Sequence, residues 1–150
     1  MYRRSLCSAA LTLALLFTVQ SVAKAQTAEE IFRQCRERIT NIALRSRERI
    51  HDIAAAGIPK ISELLAAGEI SQARELARRA IEQINTTSRN GIERIHAVCR
   101  ECVAALNALG ATELAELLQR HCERAVNSVL EARTRAINAI HALFADAGGG

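Results

Sequence analysis

Four cysteines, Cys35, Cys99, Cys102 and Cys122, carry the densest chemistry in the chain beyond its first 25 residues. Cys99-Arg-Glu-Cys102 is a CxxC pair, and His121 adjoins Cys122. Sulfur in this pattern supports three chemistries. An even number of cysteines in an exported chain forms disulfides. Four thiolates converging from separate segments, with His121 as a further donor, make a tetrahedral cage for zinc or copper(I). A CxxC near a helix end exchanges disulfides when the helix lowers the pKa of its first thiol. The last chemistry lacks the βαβ pattern and aromatic companion of a thioredoxin-type site.

Histidines form the second pattern. "RERIHDI", "IERIHAV" and "INAIHAL" place His51, His96 and His141 at 45-residue intervals, each directly after an isoleucine. The segments 35–53, 80–98 and 125–143 align as a degenerate repeat. A helical-hairpin solenoid of that period needs two breaks per unit, and 27–56 and 111–147 hold none. The spacing therefore reads as one long helix duplicated or as coincidence among similar heptads, with each histidine at the edge of a buried stripe.

Other catalytic arrangements are absent from the sequence. It holds no glycine-rich phosphate loop, no Ser/His/Asp set at workable spacing and no inward pair of carboxylates. The expectation is a protein that is not an enzyme.

Which chemistry the cysteines perform depends on the elements that hold them. Residues 1–25, "MYRRSLCSAALTLALLFTVQSVAKA", have a basic start, an apolar run from Ala9 to Val19 and a small-x-small end. That is the layout of a secretory signal cleaved before Gln26, with Arg3-Arg4 also suggesting the twin-arginine route. Cys7 precedes the apolar run and is misplaced for lipid attachment. The expected location is periplasmic or extracellular, with no stable membrane anchor after cleavage.

The signal also carries the net charge. The chain has 20 Lys+Arg against 16 Asp+Glu, and residues 1–25 hold Arg3, Arg4 and Lys24 with no acid. The remainder has 17 basic and 16 acidic residues, and its only aromatics are Phe32 and Phe144. Nothing there suits a nucleic-acid partner. A protein partner or self-association fits better.

Residues 26–147 read as one all-α domain, an antiparallel up-down-up bundle of three long helices, with 148–150 a flexible glycine tail. The first helix, 28–67, carries Ile31, Cys35, Ile39, Ile42, Ser46, Ile50 and Ile53 at helical spacing. It is kinked or split near Gly57-Pro59. The second, 69–109, shows a four-and-three heptad seam running Ala77, Ile81, Ile84, Ser88, Gly91, Ile95, Val98, Cys102, Ala105 and Leu109. "INTTSRNGI" at 84–92 looks loop-like, but its Ser88 and Gly91 fall on the seam, so it reads as continuous helix at a close approach. The third, 111–146, repeats the seam from Leu118 and Cys122 to Ile140 and Leu143. Gly68 and Gly110 end the first two helices at the left-handed C′ position.

This topology ranks the cysteine chemistry. About the turn at 68–69, Cys35 lies level with Cys102, and about the turn at 110–111, Cys99 lies level with Cys122. All four fall in one layer, so the expected disulfides are Cys35–Cys102 and Cys99–Cys122. The pairing Cys35–Cys99 with Cys102–Cys122 shifts each partner by nearly one turn, and Cys99–Cys102 would lock no fold. Zinc or copper in the same layer, with His121, is the alternative. Antiparallel geometry also spreads the three repeated histidines about 9–15 Å or more along the axis, at ~1.5 Å per residue, too far to share one metal ion.

Overall fold

The computed structural model describes residues 26–147. The signal reading on 1–25 and the glycine tail at 148–150 lie outside the described residues. Within them the chain forms three helices, α1 Ala28–Ala66, α2 Ile70–Ala108 and α3 Thr112–Ala147, each packed against the other two. Helices of 39 residues extend about 58 Å at ~1.5 Å per residue. Three-residue connections force neighbours to run antiparallel, giving the up-down-up bundle.

Local chemistry sets the ends. Thr27 caps α1 through a capping box: its Oγ1 accepts from the Glu30 backbone N–H at 3.2 Å, and Glu30 Oε2 accepts from the Thr27 N–H at 3.3 Å. Both turns are Schellman motifs built on a left-handed glycine, with φ of 75° at Gly68 and 72° at Gly110. At the first, Gly68 N–H donates to Leu65 O at 3.0 Å and Glu69 N–H to Leu64 O at 2.9 Å. At the second, Gly110 N–H donates to Asn107 O at 2.9 Å and Ala111 N–H to Leu106 O at 3.0 Å. Glu69 and Ala111 then accept the first bonds of α2 and α3, from Ala73 and Ala115. One residue thus closes each helix and opens the next, so the turns need no further length.

Of the two outcomes expected at Gly57-Pro59, the split does not occur: α1 runs unbroken from Ala28 to Ala66 with Pro59 inside. Pro59 and Ala55 are both exposed, so the Ala55 carbonyl that proline leaves without a donor faces water rather than the core. The "INTTSRNGI" stretch, by contrast, is continuous helix, with Ser88 only 2% exposed.

One expectation requires correction, the period of the seam. The buried residues of α2 are Ala73, Ala77, Ala80, Ile84, Ser88, Gly91, Ile95, Cys99, Cys102 and Leu106. Their steps repeat every 11 residues, not every seven. Of the expected heptad positions, Ile81, Val98 and Ala105 are half-buried and Leu109 is exposed. Helix α1 follows the same rule with Cys35, Ile39, Ala43, Ile50, Ala54, Gly57 and Ile61. The bulkiest fully buried side chains mark the period: Ile39, Ile50 and Ile61; Ile84, Ile95 and Leu106; Leu118, Val129 and Ile140. An 11-residue period (about 3.67 per turn) goes with right-handed supercoiling, where a heptad seam imposes the left-handed sense.

The same register explains the histidine spacing. Ile50, Ile95 and Ile140 are at most 1% exposed, and the histidines that follow them are all exposed. A 45-residue shift carries core position onto core position between successive helices, as for Ile39, Ile84 and Val129. The repeat is the footprint of the core.

Candidate functional site: the cysteine layer

Small residues fill the 11-residue positions between the bulky ones, and the cysteines occupy those positions. Cys35 is equivalent along α1 to Ser46 and Gly57. Cys102 is equivalent along α2 to Gly91 and Ala80. These make three matching approaches between α1 and α2. A Cβ on Gly57 would meet Ala80 Cβ at 3.6 Å, and one on Gly91 would stand 2.9 Å from Ser46 Cβ, with Ser46 Oγ closer still. At the third rung the Cα atoms of Cys35 and Cys102 are 6.2 Å apart and the sulfurs are bonded. A ladder of small residues therefore brings the helices close enough for a disulfide.

The second bridge joins Cys99 to Cys122 with Cα atoms 6.3 Å apart. Together the bridges link α1 to α2 and α2 to α3, so all three helices are tied at the end nearest the second turn. These are the pairs that lie level across their own turns. Neither the one-turn-shifted pairing nor Cys99–Cys102 is formed.

All four half-cystines are buried, Cys99 the least so at 9% exposed. A disulfide sulfur has no thiolate to give a metal, so a zinc or copper cage from Cys35, Cys99, Cys102 and Cys122 requires the reduced protein. Among the described residues, no three His, Cys, Asp or Glu side chains gather in a cluster that could hold a metal ion.

His121 has its hydrogen-bond partner on α1. It is half-buried, and its Nε2 lies 3.1 Å from Thr40 Oγ1 across the α1/α3 contact. Burial pushes its pKa below the ordinary 6.5, and the charges of Arg36 and Arg124 push the same way; a backbone hydrogen bond at Arg36 opposes them. The sequence reading missed Arg36, Thr40 and Arg124 as its surroundings. The signal was present: counted through the two turns, residue 40 lies level with 124, one turn from His121.

His51, His96 and His141 stand apart in three different surface grooves. His96 shares a groove of about 510 Å³ between α2 and α3 with Cys99, Arg100, Cys122 and Glu123. The largest groove described, about 800 Å³, is lined by Leu65, Ile70, Ile81, His141 and Phe144 near the first turn, at the opposite end from the disulfides.

Ion pairs decorate the outside. Glu75 accepts from Arg78 at 2.9 and 3.0 Å and from Arg79 at 2.8 Å. Those bonds hold its carboxyl at about 2, against an ordinary 4.5. Arg38 reaches Glu101 from α1 to α2 at 3.5 Å. All are solvated and contribute little individually.

No protein-family model, curated protein or solved structure matches the chain.

Proposed function

We propose that this chain is an exported helical protein, periplasmic or extracellular, braced by two disulfides and serving as a structural or protein-interaction module rather than an enzyme. The observation that carries the reading is the cysteine layer: four buried half-cystines bonded in two pairs that tie every helix to α2. Such bonds persist in oxidising compartments, and cytosolic reductants remove them. The signal layout of residues 1–25 supports the same compartment. No described helix is long and apolar enough to cross a membrane.

A bracing role also fits the core. Its small-residue ladder of Ala, Ser and Gly gains close approach at the expense of buried apolar area, so covalent ties offset what a leucine-rich seam would supply. Intact-mass and thiol analysis of protein recovered from its native compartment tests the reading. The expected result is a chain beginning at Gln26 with no free thiol. A retained Met1, or four free thiols with stoichiometric zinc or copper, would instead support a cytoplasmic protein or the metal-binding alternative in the same layer.

A further inference from the structure

The two disulfides differ in access. Cys99 and Cys122 line the open groove between α2 and α3, with His96 and Arg100 on its walls. Neither Cys35 nor Cys102 lines any groove described; they are 5% and 2% exposed, against 9% and 4% for Cys99 and Cys122. A thiolate must reach a sulfur along the S–S axis to displace its partner, so access decides which bridge exchanges. The Cys99–Cys122 bridge borders an open groove, whereas Cys35–Cys102 is packed between α1 and α2.

We infer that the Cys99–Cys122 bridge is a thiol–disulfide exchange site, opened selectively by a dithiol reductant that enters the α2/α3 groove, while Cys35–Cys102 stays closed. The reductant's thiolate attacks one sulfur of the pair, Cys99 being the more exposed. The Cys99–Cys122 bond breaks, and the Cys122 sulfur leaves with the electron pair and takes up a proton. The reductant's second thiol then attacks the mixed disulfide, releasing Cys99 as a thiol. Two electrons pass to the protein and the reductant ends as its own disulfide. Arg100 favours the approach of an anionic thiolate; Glu123, on the same wall, opposes it. The outcome is graded: α3 loses its covalent tie while α1 and α2 keep theirs, so exchange loosens one helix without dismantling the bundle.

This inference rests on both bridges being present in the protein as isolated. The test begins there, with a thiol count on the oxidised full-length mature chain. Dithiothreitol is then added over a graded series, with alkylation and peptide mapping at each step. The expected result is labelling of Cys99 and Cys122 at least about tenfold faster than Cys35 and Cys102, as access through local rather than global opening implies. Equal rates, or earlier opening of Cys35–Cys102, would overturn the inference while leaving the bracing reading intact. Free thiols before any reductant would remove the bracing reading itself. A second measurement uses a CxxC oxidoreductase whose resolving cysteine is serine, which traps the mixed disulfide. An adduct on Cys99 or Cys122 supports the site, and an adduct on Cys35 or Cys102 contradicts it.

Discussion

At the residue scale, two helical glycines on equivalent rungs of the α1/α2 ladder should respond oppositely to alanine. Gly91→Ala places a Cβ 2.9 Å from Ser46 Cβ and nearer still to its Oγ, which donates to Ile42 O at 2.8 Å. The overpacking cost of ~1–3 kcal/mol exceeds the helix-propensity gain of about 1 kcal/mol, so the variant loses stability. Adding Ser46→Gly should recover part of that loss. Gly57→Ala meets Ala80 Cβ at 3.6 Å, an ordinary contact, and should stabilise by up to ~1 kcal/mol. Denaturant unfolding of the variants checks both signs, and a stabilising Gly91→Ala would contradict the close approach. His121 supplies a pH test. Its folded pKa lies below 6.5, so above that value both states are neutral there and it contributes nothing. As pH falls through 6.5 the unfolded chain takes the proton first and stability drops, until the folded pKa is passed. His121→Gln should flatten this loss between pH 7.5 and pH 5; an unchanged acid slope would show that His121 is not its source. Glu75 acts in the same direction over a lower window: its contribution is present above its ordinary 4.5 and disappears as pH falls through about 2.

At the element scale, each turn hangs on one left-handed glycine. Gly68→Ala and Gly110→Ala should each cost about 1–2 kcal/mol, because a Cβ is strained at positive φ even though neither position is crowded. Pro59→Ala should stabilise α1 by up to ~3 kcal/mol by restoring the bond to the Ala55 carbonyl; a destabilised variant would mean that the proline is matched to a bend the bundle needs. The turns were legible in the sequence because glycine after a long apolar periodicity has few other physical meanings. The continuity of 84–92 was legible because Ser88 and Gly91 kept the stripe in phase. Pro59 left kink and split open because a proline signal does not say which face it occupies, and an exposed carbonyl tolerates it. The 11-residue period was missed because heptad and 11-residue stripes share most steps of three and four. They part at Ala80 against Ile81, Cys99 against Val98 and Leu106 against Ala105; at the first two the bulkier residue suggests burial although the smaller one lies inside.

At the scale of the whole molecule, the disulfides divide the stability unequally. Cys35–Cys102 spans a sequence separation of 67 and Cys99–Cys122 one of 23. In the loop-entropy view these constrain the unfolded chain by about 4.4 and about 3.4 kcal/mol. The double replacement Cys35→Ala/Cys102→Ala should therefore lower the melting temperature more than Cys99→Ala/Cys122→Ala. The reverse order would show that native packing at each bridge, rather than chain constraint, sets its contribution. The cysteine layer itself could be read from residue numbers alone, since levels in an antiparallel bundle follow from its turns. The surroundings of His121 and the difference in access between the bridges needed side chains in place. The most direct measurement is non-reducing peptide mapping of the protein taken from its native compartment. The account predicts two cross-linked species, one joining the Cys35 and Cys102 peptides and the other Cys99 and Cys122. Any other pairing, or four free thiols, would contradict it.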